Sequence, residues 1–78
     1  MPDYANEIGL FFSRKLIRTG GIYNFTPEKR CFALMPLRHT FDKDILEYLL
    51  HLIKKFIEED PDNRYYRRFY YATVKIII

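Results

Sequence analysis

Cys31 and His39 are the first residues to consider for chemistry, because a thiol beside an imidazole base is the smallest nucleophilic pair a chain can hold. Cys31, however, lies in the apolar run Cys31-Phe32-Ala33-Leu34-Met35, the ordinary setting of a buried and unreactive thiol. His39 and His51 are twelve residues apart, a spacing that does not put two metal ligands on one helical face. His51 has Glu47 one helical turn before it, which is the setting of a solvated histidine. Glu58, Glu59, Asp60 and Asp62 concentrate acid, but without the glycine and terminal glutamate of a calcium loop they read as a solvated turn. Gly20-Gly21 lacks the spacing and the lysine of a phosphate loop and reads as a turn. No catalytic residue, metal, cofactor or small-molecule substrate follows from these residues, so the expected function is binding and not catalysis.

Two signals point to binding. The first is the run from Arg64 to Tyr71, in which arginines alternate with aromatic rings. Read as a strand, one parity collects Arg67, Phe69, Tyr71 and Lys75, with Arg64 and Arg68 close by. A basic aromatic sheet face of that kind can pair phosphates and stack bases. The plainer reading is that the arginine and tyrosine stems shield a small protein's open sheet. The second signal is apolar surface in excess of what a small core uses. Leu46, Leu50 and Ile57 on the long central helix, with Val74, Ile76 and Ile78 at the end of the chain, are the candidate residues for contact with a protein partner or a second copy.

The element that would position them runs from Thr40 to Asp60. Thr40 and Asp42 are both suitable N-caps, and Asp42, Asp44 and Glu47 lie where the positive end of a helix dipole favours acids. At about 100° per residue, Ile45, Leu46, Leu49, Leu50, Leu52, Ile53, Phe56 and Ile57, flanked by Phe41 and Tyr48, cover roughly 200° of helix 41–60. Such an arc is about twice what a surface helix needs to sit on one core. Either residues 3–18 pack over the second half of that arc or some of it stays open.

Elsewhere the reading is less direct. Residues 3–18 fit a helix, with Pro2 at its start, Asp3 and Glu7 early, Lys15 and Arg18 late and Gly20 as its stop. Tyr4, Ile8, Phe11, Phe12 and Lys15 or Leu16 then share one side. The same residues also fit a strand with a turn at Thr19-Gly20-Gly21. Residues 22–25 and 30–37 read as a hairpin around Thr26-Pro27-Glu28-Lys29. The competing view, Thr26 capping a helix that begins at Pro27, is set aside because Pro36 would end it early. Asp60-Pro61-Asp62-Asn63 reverses the chain, and residues 65–77, rich in aromatic and β-branched side chains, read as a strand. The expected fold is therefore α+β: a small antiparallel sheet from strands near 22–25, 30–37 and 65–77, packed by the helix 41–60, in one domain over 1–78.

Composition agrees with a folded chain: 49% of the 78 residues are hydrophobic and 18% aromatic, outside the polar range of disorder. Net charge is +3, too small to identify a polyanion binder on its own. Its distribution says more, since residues 40–62 are acidic and residues 63–78 carry four cations and no acid. A single cysteine excludes an internal disulfide framework and suits a reducing compartment. No apolar run approaches the ~20 residues of a membrane span, and the first residues are acidic where a secretory signal is basic. Asn24-Phe25-Thr26 matches the glycosylation pattern by chance on this reading. The expectation is a soluble, cytoplasmic, non-enzymatic protein that acts by protein–protein contact, self-associating or serving as adaptor or inhibitor of a larger machine, including one carried by a virus or mobile element. Nucleic-acid binding through Arg64, Arg67, Arg68, Phe69, Tyr71 and Lys75 is the alternative.

Overall fold

In a computed structural model that describes residues 3–78, with side chains from Ile8 onward, the chain is a bundle of helices. Their order is α1 (Asp3–Thr19), a 3-10 turn (Gly21–Asn24), α2 (Pro27–Arg38), α3 (Lys43–Glu59) and α4 (Arg64–Ile77). Among the described residues there is no strand, so the α+β fold and its antiparallel sheet are overturned. Residues 22–25 form the 3-10 turn, residues 30–37 lie inside α2 and residues 65–77 lie inside α4.

Residues 3–18 are helical, and the strand alternative fails. Gly20 ends the helix as its sequence position suggested. It adopts φ 78°, a conformation that costs glycine little, and its N–H reaches the Ile17 carbonyl at 3.2 Å. Pro2 and the side chains of Asp3, Tyr4 and Glu7, which also entered the helix reading, lie outside the described residues.

The helix set aside in the sequence reading, α2, is the one that forms. Thr26 is its N-cap, accepting from the Lys29 N–H at 3.4 Å, and Pro27 occupies the first turn, where a missing N–H costs nothing. Pro36 does not stop it, because only a short last stretch to Arg38 follows and the ring is used in packing. A Cβ placed on Gly9 of α1 would meet the Pro36 ring at 3.1 Å, so glycine is what lets the two helices approach there. Four residues on, the Ser13 hydroxyl is buried between the Gly9 and Ala33 carbonyls and ties α1 to α2.

The central helix forms within two or three residues of its expected bounds. Asp42, and not Thr40, is the N-cap, its carboxylate accepting from the N–H groups of Asp44 (2.9 Å) and Ile45 (3.2 Å). Thr40 instead donates to the Leu37 carbonyl at 2.8 Å and closes α2. Between them Phe41 takes φ 56°, a left-handed conformation unusual for an aromatic residue.

The turn at residues 60–63 is as expected. Asn63 donates from its side chain to the Asp60 carboxylate (3.0 Å) and caps α4 by accepting from the N–H groups of Tyr65 (3.0 Å) and Tyr66 (3.4 Å). After that cap, the buried residues Tyr66, Phe69 and Thr73 recur at helical spacing. Burial of that stripe against α2 and α3 outweighs the β preference of the individual residues. The Thr73 hydroxyl, fully buried, donates to the Phe69 carbonyl at 2.8 Å.

The core joins Ile22 of the 3-10 turn, Leu34 and Leu37 of α2, Leu49, Leu52, Ile53 and Phe56 of α3, and Tyr66 and Phe69 of α4. The broad apolar arc of α3 is thus covered from α2 and α4 at Leu46, Leu49, Leu52, Ile53 and Phe56, while Ile45, Leu50 and Ile57 stay half-buried and Phe41 and Tyr48 exposed. Leu10, Leu16 and Ile17 of α1 lean on the cluster from outside while α1 packs on α2 and the 3-10 turn.

Candidate interaction surfaces

Because Leu10, Ser13, Leu16 and Ile17 of α1 are turned to the protein, Ile8, Phe11 and Phe12 are left more than half exposed, at 64%, 67% and 59%. Of the stripe that sequence reading placed together, Ile8, Phe11, Phe12 and Lys15 therefore face away from the core, whereas Leu16 is half-buried against it and the side chain of Tyr4 lies outside the described residues. Beside it, Phe32 of α2 is 76% exposed. Between the two helices runs an open groove of about 590 Å³. Gly9, Ser13 and Ala33 line it with small side chains, and Ile8, Phe12, Phe25 and Phe32 line it with large ones. The Ser13 hydroxyl is buried, its one proton shared between the Gly9 and Ala33 carbonyls, so the groove offers an incoming group apolar contact and little else.

The six residues expected to contact a partner are divided by the fold. Leu46 is 3% exposed and belongs to the protein interior, unavailable to a partner as it stands. Leu50 and Val74 are half-buried, and Ile57 is half-buried against the core. Ile76 comes next to Leu46 in a smaller groove of about 440 Å³ with Phe41, Lys43 and Ile77, at the start of α3 and the end of α4. Ile78 is almost fully exposed.

For the alternative surface the helix changes which residues meet. Phe69 is 5% exposed and packs in the core beneath the Arg38 guanidinium, 5.0 Å from its ring centroid, so it cannot stack a base. Arg64, Arg67, Arg68, Tyr71 and Lys75 are all exposed. At about 100° per residue they fall within roughly 100° of one another on the outer side of α4. The basic aromatic sheet face does not exist, but five of its six residues share a helix face.

Arg30 is a different kind of cation, one spent inside the fold. Its Nε donates to the Phe25 carbonyl, one terminal nitrogen to the Tyr66 hydroxyl and the other to the Tyr23 carbonyl, each at 3.0 Å. The guanidinium also lies 5.4 Å from the Tyr23 ring centroid and 5.1 Å from that of Phe56. It locks the 3-10 turn to α2, α3 and α4.

The candidate nucleophile lacks activation. Burial pushes the Cys31 thiol up to about 11, against the lowering pull of Arg30 and Arg38, whereas a catalytic thiol needs the opposite shift. His39 is the exposed C-cap of α2. Of the acids near the turn, Asp60 is engaged by Asn63, and among the described residues no three His, Cys, Asp or Glu side chains gather as metal ligands. No helix of the described residues is long and apolar enough to cross a membrane.

Sequence reasoning missed the groove residues Ile8, Phe12, Phe25 and Phe32 as a site. A signal was present. Residues 8–17 carry apolar side chains on two sides of one helix, Leu10 and Ile17 on one and Ile8, Phe11 and Phe12 on the other, which is more than a single core contact can cover. Phe32 gave no usable signal while its segment was read as a strand. Comparison with protein-family models, with curated proteins and with solved structures gives no match.

Proposed function

We propose that this protein works by protein–protein contact, and that the contact surface is the groove between α1 and α2. The observation that carries the reading is the joint exposure of Ile8, Phe12 and Phe32, each 59–76% accessible, around one apolar cleft. Large contiguous apolar surfaces of this kind on a small folded chain mark binding sites more often than they mark plain surface. A cleft between two helices with small residues among its lining is the kind of surface that receives the apolar side of a partner helix, its large side chains descending toward Gly9, Ser13 and Ala33. The site is thus displaced from the one expected at Leu46 and Leu50, which the fold itself largely covers.

The test is site-specific photo-cross-linking in cells, with a benzophenone side chain placed at Phe32 or, as a control on the polar side of α3, at His51. The expected result is a discrete adduct from position 32 and none from position 51, lost when Phe12→Glu is added. Its mass distinguishes a second copy of the chain from a different protein. Equal adducts from both positions, or an adduct indifferent to Phe12→Glu, would rule out the groove as the contact surface.

A further inference from the structure

We infer that the outer face of α4 is a docking surface for the phosphate backbone of duplex nucleic acid. The inference is independent of the α1–α2 groove. The helix from Arg64 to Ile77 contains four cations, Arg64, Arg67, Arg68 and Lys75, and no acidic residue. From Arg64 to Lys75 the face extends about 16 Å along the helix axis, at 1.5 Å per residue. Those cations stand exposed, in contrast to Arg30 and Arg38, which are held against Tyr23, Phe56 and Phe69.

A rigid helix fixes the spacing of the charges, which suits a regular array of phosphates, and Tyr71, 65% exposed, adds a hydroxyl near the centre of the face. The bundle argues against an anionic membrane as the occupant. A helix that lies on lipid needs its own apolar side free to insert, and α4 commits Tyr66, Phe69 and Thr73 to the protein interior. Of the six exposed or buried residues first grouped for nucleic-acid binding, Phe69 is replaced by none, so the face offers charge and few base-reading groups. Binding is therefore expected to be sequence-independent.

The experiment is fluorescence anisotropy of a labelled, mixed-sequence DNA duplex titrated with the full chain. Engagement of four phosphates predicts a log–log salt slope of about −3.6, which is roughly a hundredfold loss of affinity between about 50 and 200 mM salt. Arg64→Glu/Arg68→Glu/Lys75→Glu is expected to weaken binding at least about tenfold. The control Lys15→Glu/Lys54→Glu/Lys55→Glu makes the same change in net charge on exposed positions of α1 and α3, and is expected to cost far less. Circular dichroism verifies that both triples keep the fold. Absence of binding at low salt overturns the inference, and so do equal losses in the two triples, which would reduce the effect to bulk charge. Tighter binding to the corresponding single strand, or to phosphatidylserine vesicles, overturns the assignment to a duplex.

Discussion

Arg30 shows how much a single side chain can hold in a chain of this size. Three hydrogen bonds and two aromatic faces converge on its guanidinium, and truncating it leaves the Tyr66 hydroxyl, itself on a residue only 2% exposed, without its partner. Arg30→Ala is expected to destabilise the fold by about 3 kcal/mol, read from urea denaturation. Arg30→Lys should recover only a minor part, because an ammonium is a point charge and cannot reproduce the planar fork. The neighbouring Cys31 makes a prediction about pH. Its thiol rises from 9.0 in the unfolded chain to about 11 in the fold because of burial. The folded state therefore holds its proton longer, and this contribution to stability is complete below about pH 9 and lost as pH rises through about 11. Tyr66, also raised by burial, acts in the same direction. Cys31→Ala should flatten part of the alkaline decline in the urea midpoint. In the native wild type, alkylation at neutral pH should run about 10- to 100-fold slower than in denaturant, because burial lowers the thiolate fraction.

At the scale of the element, the caps decide where helices begin. Asn63 both opens α4 and closes the preceding turn, so Asn63→Ala is expected to cost about 1 kcal/mol in thermal or urea unfolding. Asn63→Asp would cap equally well in isolation, but it loses the amide that donates to Asp60 and places a second carboxylate beside it. It should therefore restore only part of the loss, and more of it at high salt, where the repulsion is screened. The same reasoning explains what was legible in these segments. Thr26-Pro27 and Asp62-Asn63 carry cap and first-turn chemistry in their residue types, and both helices start there. Strand character in residues 65–77 was inferred from side-chain preference alone, and such preferences yield to the burial of Tyr66, Phe69 and Thr73 on one stripe.

At the scale of the molecule, stability is unevenly distributed. The buried apolar cluster is built from the 3-10 turn, α2, α3 and α4, while the apolar residues that α1 adds are only partly buried around its edge, Ser13 being its one fully buried side chain among the described residues. Native-state hydrogen exchange is therefore expected to show α1 amides opening well below the global unfolding free energy, with the middle of α3 protected to the full value. Uniform protection of α1 and α3 would contradict this ordering. The groove lies along that less anchored helix. A partner seated between α1 and α2 would bind only the closed arrangement and should raise the protection of α1 in proportion to its concentration.

Legible in the residue types alone were the central helix with its acid-rich start and a cap at Thr40 or Asp42, the break at Gly20, the turn at residues 60–63 and the unreactive surroundings of Cys31. Each of these depends on a local property: a dipole, a left-handed φ, a side chain that can reach an N–H one turn away. Tertiary contacts settled that residues 3–18, 27–38 and 64–77 are helical, that Asp42 and not Thr40 is the cap, that Leu46 and Phe69 are interior, and that Ile8, Phe12 and Phe32 are not. An apolar side chain carries the same desire for burial whichever way it points. Which side is satisfied depends on the neighbours that arrive from distant parts of the chain, Ala33 and Pro36 meeting Ser13 and Gly9 across α1 and α2 and so leaving the phenylalanines outside.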